Sequence, residues 1–188
     1  ADHNNAQLQK FLDQYGFEYE FVSASEKYND GSFNDSLLGV LQNYEKIQAI
    51  MLPSLREERR KTYCPFMPID AKTGKVLSVG VEEINKEKQT ITYRDEDDEL
   101  VEISPLDGNC KLQWKVDFGA RWANLDVDFE IYGKEHFANE KIYRSICKAL
   151  GGKAPVNYFY ELFLDQKGQK ISKSSGNGIV NFASMYVS

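Results

Sequence analysis

Val127-Asp128-Phe129-Glu130-Ile131-Tyr132 runs directly into Gly133-Lys134-Glu135-His136, and this junction decides how the chain is read. Residues 127–132 are rich in β-formers and read as a strand. Residues 137–150 are amphipathic, with Ile142, Ile146, Cys147 and Leu150 on one helical face and Gly151-Gly152 at the end. Residues 158–164 form a further strand leading to Lys170-Ile171-Ser172-Lys173-Ser174. Strand, helix, strand and loop in that order describe half of an open α/β sheet. Ligands collect outside the carboxyl ends of strands in such sheets. The turn 133–136 lies at that edge, ahead of a helix N-terminus that points its donors into the site.

Two readings of this turn compete. As a ligand site, Gly133 permits close backbone approach, Glu135 accepts ribose hydroxyls and His136 bonds a polar group of a substrate. As plain structure, it caps a helix and leaves a histidine exposed. The downstream loop divides in the same way. Two lysines three apart, interleaved with hydroxyls and followed by Ser175-Gly176-Asn177-Gly178, make a phosphate-gripping loop or a solvated Lys/Ser loop.

Upstream, Leu8, Phe11, Leu12 and Tyr15 recur at helical spacing and stop at Gly16. Phe17, Tyr19 and Phe21 then alternate with Glu18 and Glu20 as a half-buried strand would. One apolar stripe through Phe33, Leu37, Val40, Leu41, Tyr44, Ile47 and Met51 predicts a helix over 33–51, ended by Pro53. Ser54 and Glu57 have the spacing of a capping box for a short charged helix. Residues 76–81, 90–93 and 101–103 read as short strands of an antiparallel insertion spanning 64–109, with 95–98 a solvated hairpin tip. Leu112, Trp114 and Val116 alternate as a strand, and Asp117 is placed to cap the helical turn after it.

The chain has 188 residues, 41% hydrophobic and 28% charged, with no apolar run of membrane-spanning length. No secretory leader is visible at its start. Its net charge of −6 argues against a surface devoted to nucleic acid. Arg56, Arg59, Arg60 and Lys61 cluster, but Glu57 and Glu58 interrupt them, as on a salt-bridged helix. Cys64, Cys110 and Cys147 lie far apart, which fits neither a disulfide scaffold nor a four-cysteine zinc site. A reducing cytoplasm is the expected setting, with no membrane partner. No nucleophile is implied, since Cys147 sits on an apolar stripe.

The block Lys170-Ile171-Ser172-Lys173-Ser174 resembles the second signature of class I aminoacyl-tRNA synthetases, KMSKS, with Ile at its second position. Tyr160-Glu161-Leu162-Phe163-Leu164-Asp165 through Gly178 resembles the class I lysyl-tRNA synthetases in particular, and the similarity extends upstream to about His3. That resemblance implies a partial nucleotide-binding, Rossmann-like α/β fold carrying a small antiparallel β insertion. It divides the chain into a helix-rich connective part (1–62), the β-rich insertion (63–110) and the second half of the nucleotide-binding fold (111–188).

The same resemblance implies L-lysine, ATP with Mg2+ and lysine tRNA as partners, with most tRNA contacts outside this chain. Lys170 and Lys173 are the implied catalytic residues. Gly133, Glu135, Lys170, Ser172, Lys173 and Ser174 are implied to hold the nucleotide. Trp114 and His136 are implied to line the amino-acid pocket, with Tyr160 packing on the substrate side chain and Glu161 balancing its ammonium. The family's segment reads Gly-Lys-Asp-His, so Glu135 departs from it by one methylene. Some members hold zinc in the insertion, but Cys64 and Cys110 do not supply that set, so no structural metal is expected.

The His-x-Gly-His first signature does not occur in the sequence, and the tail from Ile179 to Ser188 departs from the family's continuation. The expectation is therefore a fragment with weak activity by itself. The alternatives are a non-catalytic interaction module, a split half needing a complementary chain, or another nucleotidyl-transferring enzyme with a similar loop.

Overall fold

The computed structural model describes residues 2–162 together with Leu164 and Gly168. The signature loop lies outside the described residues, so the roles expected of Lys170, Ser172, Lys173 and Ser174 are not placed in space. Helix α1 (Asp2–Gln14) ends before Gly16, whose φ of +68° favours glycine. His3 lies inside this helix rather than ahead of it. The alternating segment 17–21 forms no strand. Alternation makes a strand only where a neighbour offers a ladder. Here the Tyr19 hydroxyl instead bonds back to Asp13 Oδ1 at 2.8 Å, and Phe17 remains 60% exposed.

Helix α2 (Ala24–Asn29) is capped by Ser23, whose hydroxyl accepts from the Glu26 N–H. The long helix expected over 33–51 is two, α3 (Asn34–Gln42) and α4 (Tyr44–Met51). Asn43 breaks it, because its side-chain amide donates to the Gly39 carbonyl at 2.9 Å and competes with the helical ladder. The apolar stripe survives the break, with Phe33, Leu37, Val40, Leu41, Ile47 and Met51 all buried. After a 3-10 turn at Leu52–Ser54 comes α5 (Glu57–Arg60). The capping box does not form, since the Ser54 hydroxyl donates to the Met51 carbonyl and Arg56 occupies the cap position.

Strand β1 (Phe66–Pro68) pairs antiparallel with β5 (Cys110–Leu112) and closes the base of the segment between them. Between them β2 (Val81–Asn85), β3 (Thr90–Arg94) and β4 (Leu100–Ile103) form an antiparallel sheet in that order. The first of these starts later than expected, since 76–80 contribute only a bridge between Val76 and Ile69. The acidic tip is a turn in which Asp95 Oδ1 accepts the N–H groups of Asp97 and Glu99.

Helix α6 (Trp114–Asn124) follows β5 directly. Trp114 and Val116 therefore lie on a helix, not on a strand. The Gln113 carbonyl takes the N–H groups of Val116 and Asp117, each at 2.9 Å, and so starts the helix two residues beyond Leu112. Asp117 is not its cap. It is buried, accepts the Tyr28 hydroxyl at 2.6 Å and pairs with Arg121, while the Tyr28 oxygen accepts the Leu112 N–H. This knot joins α2, β5 and α6.

The remaining elements are β6 (Phe129–Gly133), a 3-10 stretch Lys134–Asn139, α7 (Glu140–Ala149) and β7 (Val156–Tyr160). β6 and β7 are parallel, in register from Phe129 opposite Val156 to Gly133 opposite Tyr160. The second strand ends sooner than 158–164, but the strand–helix–strand unit is the one read from sequence. α6 and α7 cross closely at Gly119, where an added Cβ would stand 2.6 Å from the Tyr143 carbonyl oxygen. One apolar cluster runs from α2–α4 through β1, β3 and β5 to α6 and α7. A second, around Trp122, Tyr132, Tyr143 and Cys147, lies under β6 and β7.

Candidate active site

At the carboxyl ends of β6 and β7 five aromatic rings meet. Trp114, the first residue of α6, is half exposed and stands edge-on to the His136 ring at 6.0 Å. Phe118, one turn further on, lies 5.1 Å from His136 and stacks on Tyr143 at 4.4 Å. Tyr132, from the end of β6, is 6.0 Å from the same imidazole. The cluster exists because α6 presents residues i and i+4 to the 3-10 stretch that follows β6. Such a wall accepts an aliphatic chain along its faces and a cation over them.

The polar groups are fixed from beneath. Tyr143 is fully buried, and its hydroxyl lies 3.0 Å from His136 Nδ1. Burial pushes that hydroxyl up to about 12. The Tyr132 hydroxyl donates to Glu140 Oε2 at 2.7 Å, and burial followed by the carboxylate bond raises its pKa. Glu140 is held below its usual range by that bond and by Arg144, whose Nε donates to Oε1 at 2.7 Å. Arg144 also reaches the Pro155 carbonyl and Asn157 Oδ1, so that Tyr132, Glu140 and Arg144 together link β6, α7 and β7. Burial raises Glu130, the register partner of Asn157, while the Trp122 indole N–H opposes the shift without completing a bond of full geometry.

The strand-end residues are arranged differently from expectation. Gly133 has an ordinary extended backbone, φ −67°. The place of its missing Cβ is taken by the Glu135 carboxylate, so the glycine lets Glu135 fold back rather than keeping the backbone open. Glu161 is bound by both oxygens to Lys134 Nζ, at 2.7 and 2.9 Å, across the strand ends. Tyr160 alternates with Phe159 and belongs to the outer face of the strand pair, whereas Trp114 and His136 lie on the α6–α7 side. Trp114, His136, Gly133 and Glu135 thus gather at one edge, with Tyr160 and Glu161 at the end of the neighbouring strand.

Sequence reading missed Phe118, Tyr143 and the Lys134–Glu161 pair. The signal for the first two was there: Phe118 follows Trp114 by four, and Tyr143 precedes Ile146 and Cys147 by three and four. Cys147 is buried core, and Cys64 and Cys110 are buried free thiols, with burial pushing Cys64 up to about 12. Among the described residues no three His, Cys, Asp or Glu side chains converge as a metal-holding group. No helix of these residues is long and apolar enough to cross a membrane.

The family model for class I tRNA synthetases (K) matches residues 1–186. The chain belongs to that family. The match runs past Gly178 into the tail that sequence reading had set apart. Proteins named lysine–tRNA ligase are similar to it over 175 residues, or 93% of its length: 56% identical in Rickettsia typhi (strain ATCC VR-144 / Wilmington), 55% in Rickettsia bellii (strain OSU 85-389) and 54% in Rickettsia akari (strain Hartford). The chain spans about a third of the length of these relatives, 33–34% of each.

Proposed function

We propose that this chain is the lysine-pocket and signature-loop part of a class I lysine–tRNA ligase, which activates L-lysine with ATP to lysyl-adenylate and passes it to lysine tRNA. The observation that carries the reading is the edge-on Trp114–His136 pair, 6.0 Å apart at the carboxyl ends of parallel strands. Similarity to proteins named for this reaction supports it. The substrate's methylene stem would lie against Trp114 and Phe118, with Glu161 meeting it from the end of the neighbouring strand; Tyr160, on the outer face of that strand, would reach it only round the strand end. Lys134 now neutralises Glu161, so a bound ammonium must share or displace that contact.

In the same proposal Gly133 and Glu135 face the ribose, with the folded-back carboxylate as hydroxyl acceptor. Lys170 and Lys173 neutralise the departing pyrophosphate, and Ser172 and Ser174 shape the loop. Magnesium is assigned to the triphosphate with which it arrives. Adenylation is mostly positioning and charge stabilisation, and deleting one such contact costs about 10²–10³ in rate. In the intact enzyme Lys173→Ala should depress lysine-dependent ATP–pyrophosphate exchange by that factor and leave lysine affinity nearly unchanged. Exchange equal to that of the parent would remove Lys173 from the role. The setting proposed is the cytoplasm, with the main tRNA surface elsewhere, in keeping with a net charge of −6. The segments 1–62, 63–110 and 111–188 are proposed as connective part, insertion and second half of a Rossmann-like nucleotide fold.

A specific observation favours the second reading, an incomplete half that needs a complementary segment. Phe129, Ile131, Val156, Tyr158 and Tyr160 are all exposed on one face of the strand pair. Parallel strands are ordinarily covered on both faces. Light scattering of the chain mixed with the rest of a lysine–tRNA ligase should give a one-to-one complex. Two unassociated species would count against that reading.

A further inference from the structure

We infer that Tyr143 is a positioning residue that holds His136 in its Nε2–H tautomer, making the imidazole a hydrogen-bond donor at the mouth of the site. A neutral imidazole carries one N–H, and the bond made by one ring nitrogen decides where that proton sits. Tyr143 is fully buried with its hydroxyl 3.0 Å from Nδ1. Stacking on Phe118 at 4.4 Å and edge contacts with Trp122 and Trp114 fix the direction of that hydroxyl. Burial keeps it protonated well above neutral pH.

Nδ1 is the hydrogen-bond partner of this buried hydroxyl, and an O–H left without an acceptor away from water is costly, so the hydroxyl proton goes to Nδ1. Nδ1 then acts as acceptor, and the proton resides on Nε2, across the ring from the buried bond. Such a histidine can meet a carboxylate, hydroxyl or phosphate oxygen, but it cannot accept from an ammonium. On the reading of this cleft as a lysine pocket, on which this consequence rests, His136 serves the carboxyl or adenylate end of the ligand. The ammonium is left to the aromatic faces and to Glu161. No other described histidine competes for the role, since His3 lies exposed on α1.

The test uses the same 188-residue chain, whose two histidines make the spectrum simple to assign. Nitrogen-15 NMR of the imidazoles should show His136 with a bare Nδ1 and a protonated Nε2. Tyr143→Phe keeps the ring packing and should lose that single tautomer, giving a mixture. A protonated Nδ1 in the parent, or an unchanged tautomer in the variant, would overturn the inference. Should the variant fail to fold, a through-hydrogen-bond coupling between the Tyr143 hydroxyl proton and Nδ1 in the parent decides the matter. Its presence supports the inference and its absence overturns it. The lysine-pocket reading fails separately, if L-lysine leaves the His136 signals unmoved while the tautomer result stands.

Discussion

The two faces of the β6–β7 strand pair are made from alternate residues of the same ten positions, yet they have opposite fates. On the inner face Tyr132 and Phe159 pack with Trp122, Tyr143 and Cys147; the Tyr132–Glu140 bond joins β6 to α7, and Arg144 joins β7 to it. On the outer face Phe129, Ile131, Val156, Tyr158 and Tyr160 remain open. The inner face supports the floor of the aromatic site. The outer face is exposed to solvent. Stability of this chain and completeness of the site are therefore carried by different surfaces.

The largest effect that could break this contrast is a matched pair of truncations. Trp122→Ala removes a fully buried indole and should cost about 3–5 kcal/mol in urea unfolding, whereas Tyr158→Ala should change stability by less than about 0.5 kcal/mol. Comparable losses would mean that the outer face is packed in solution. Next in size, Gly119→Ala places a methyl against the Tyr143 carbonyl and Ile146, and overpacking of this kind costs about 1–3 kcal/mol. The helical preference for alanine offsets about 1 kcal/mol of that. A more stable variant would show that α6 and α7 are not in close contact.

Glu140 sharpens the contrast through pH. Its pKa is depressed in the folded state, so the stability it contributes is complete above its ordinary value of 4.5. That contribution is lost as pH falls through the lower folded value. Glu140→Gln should be less stable than the parent at neutral pH, and the gap should narrow on acidification. A gap independent of pH would detach Glu140 from the Tyr132–Arg144 link. The smallest effect belongs to the exposed Lys134–Glu161 pair. Lys134→Ala should shift stability by no more than about 1 kcal/mol, and salt should erase the difference.

Much of this arrangement could be read from the residues, and the failures have physical causes. The unit β6–α7–β7 was legible because two apolar strands flank a strongly amphipathic helix closed by Gly151. The β2–β3–β4 sheet was legible from its turn residues. The strand expected at 17–21 failed because alternation says nothing about whether a partner strand exists. The strand expected through Trp114 failed because three apolar residues at spacing two fit a helix start as well, and only the Gln113 carbonyl decides. Asn43 and Ser54 turned their side chains to backbone carbonyls, a local competition that periodicity does not register. Trp114 and His136 were singled out through resemblance, and their rings lie 6.0 Å apart. Tyr143 was passed over because a tyrosine on an apolar stripe reads as core, and its hydroxyl partner lies two helical turns away in sequence.

The central claim is that the Trp114–His136 cleft is a slot for lysine. Titrating the chain with L-lysine while following the Trp114 indole and His136 ring signals by NMR tests it most directly. The account predicts saturable shifts of both residues with L-lysine and none with L-glutamate, while the buried Trp122 indole stays still. Signals that ignore L-lysine, or that move equally with L-glutamate, would contradict it.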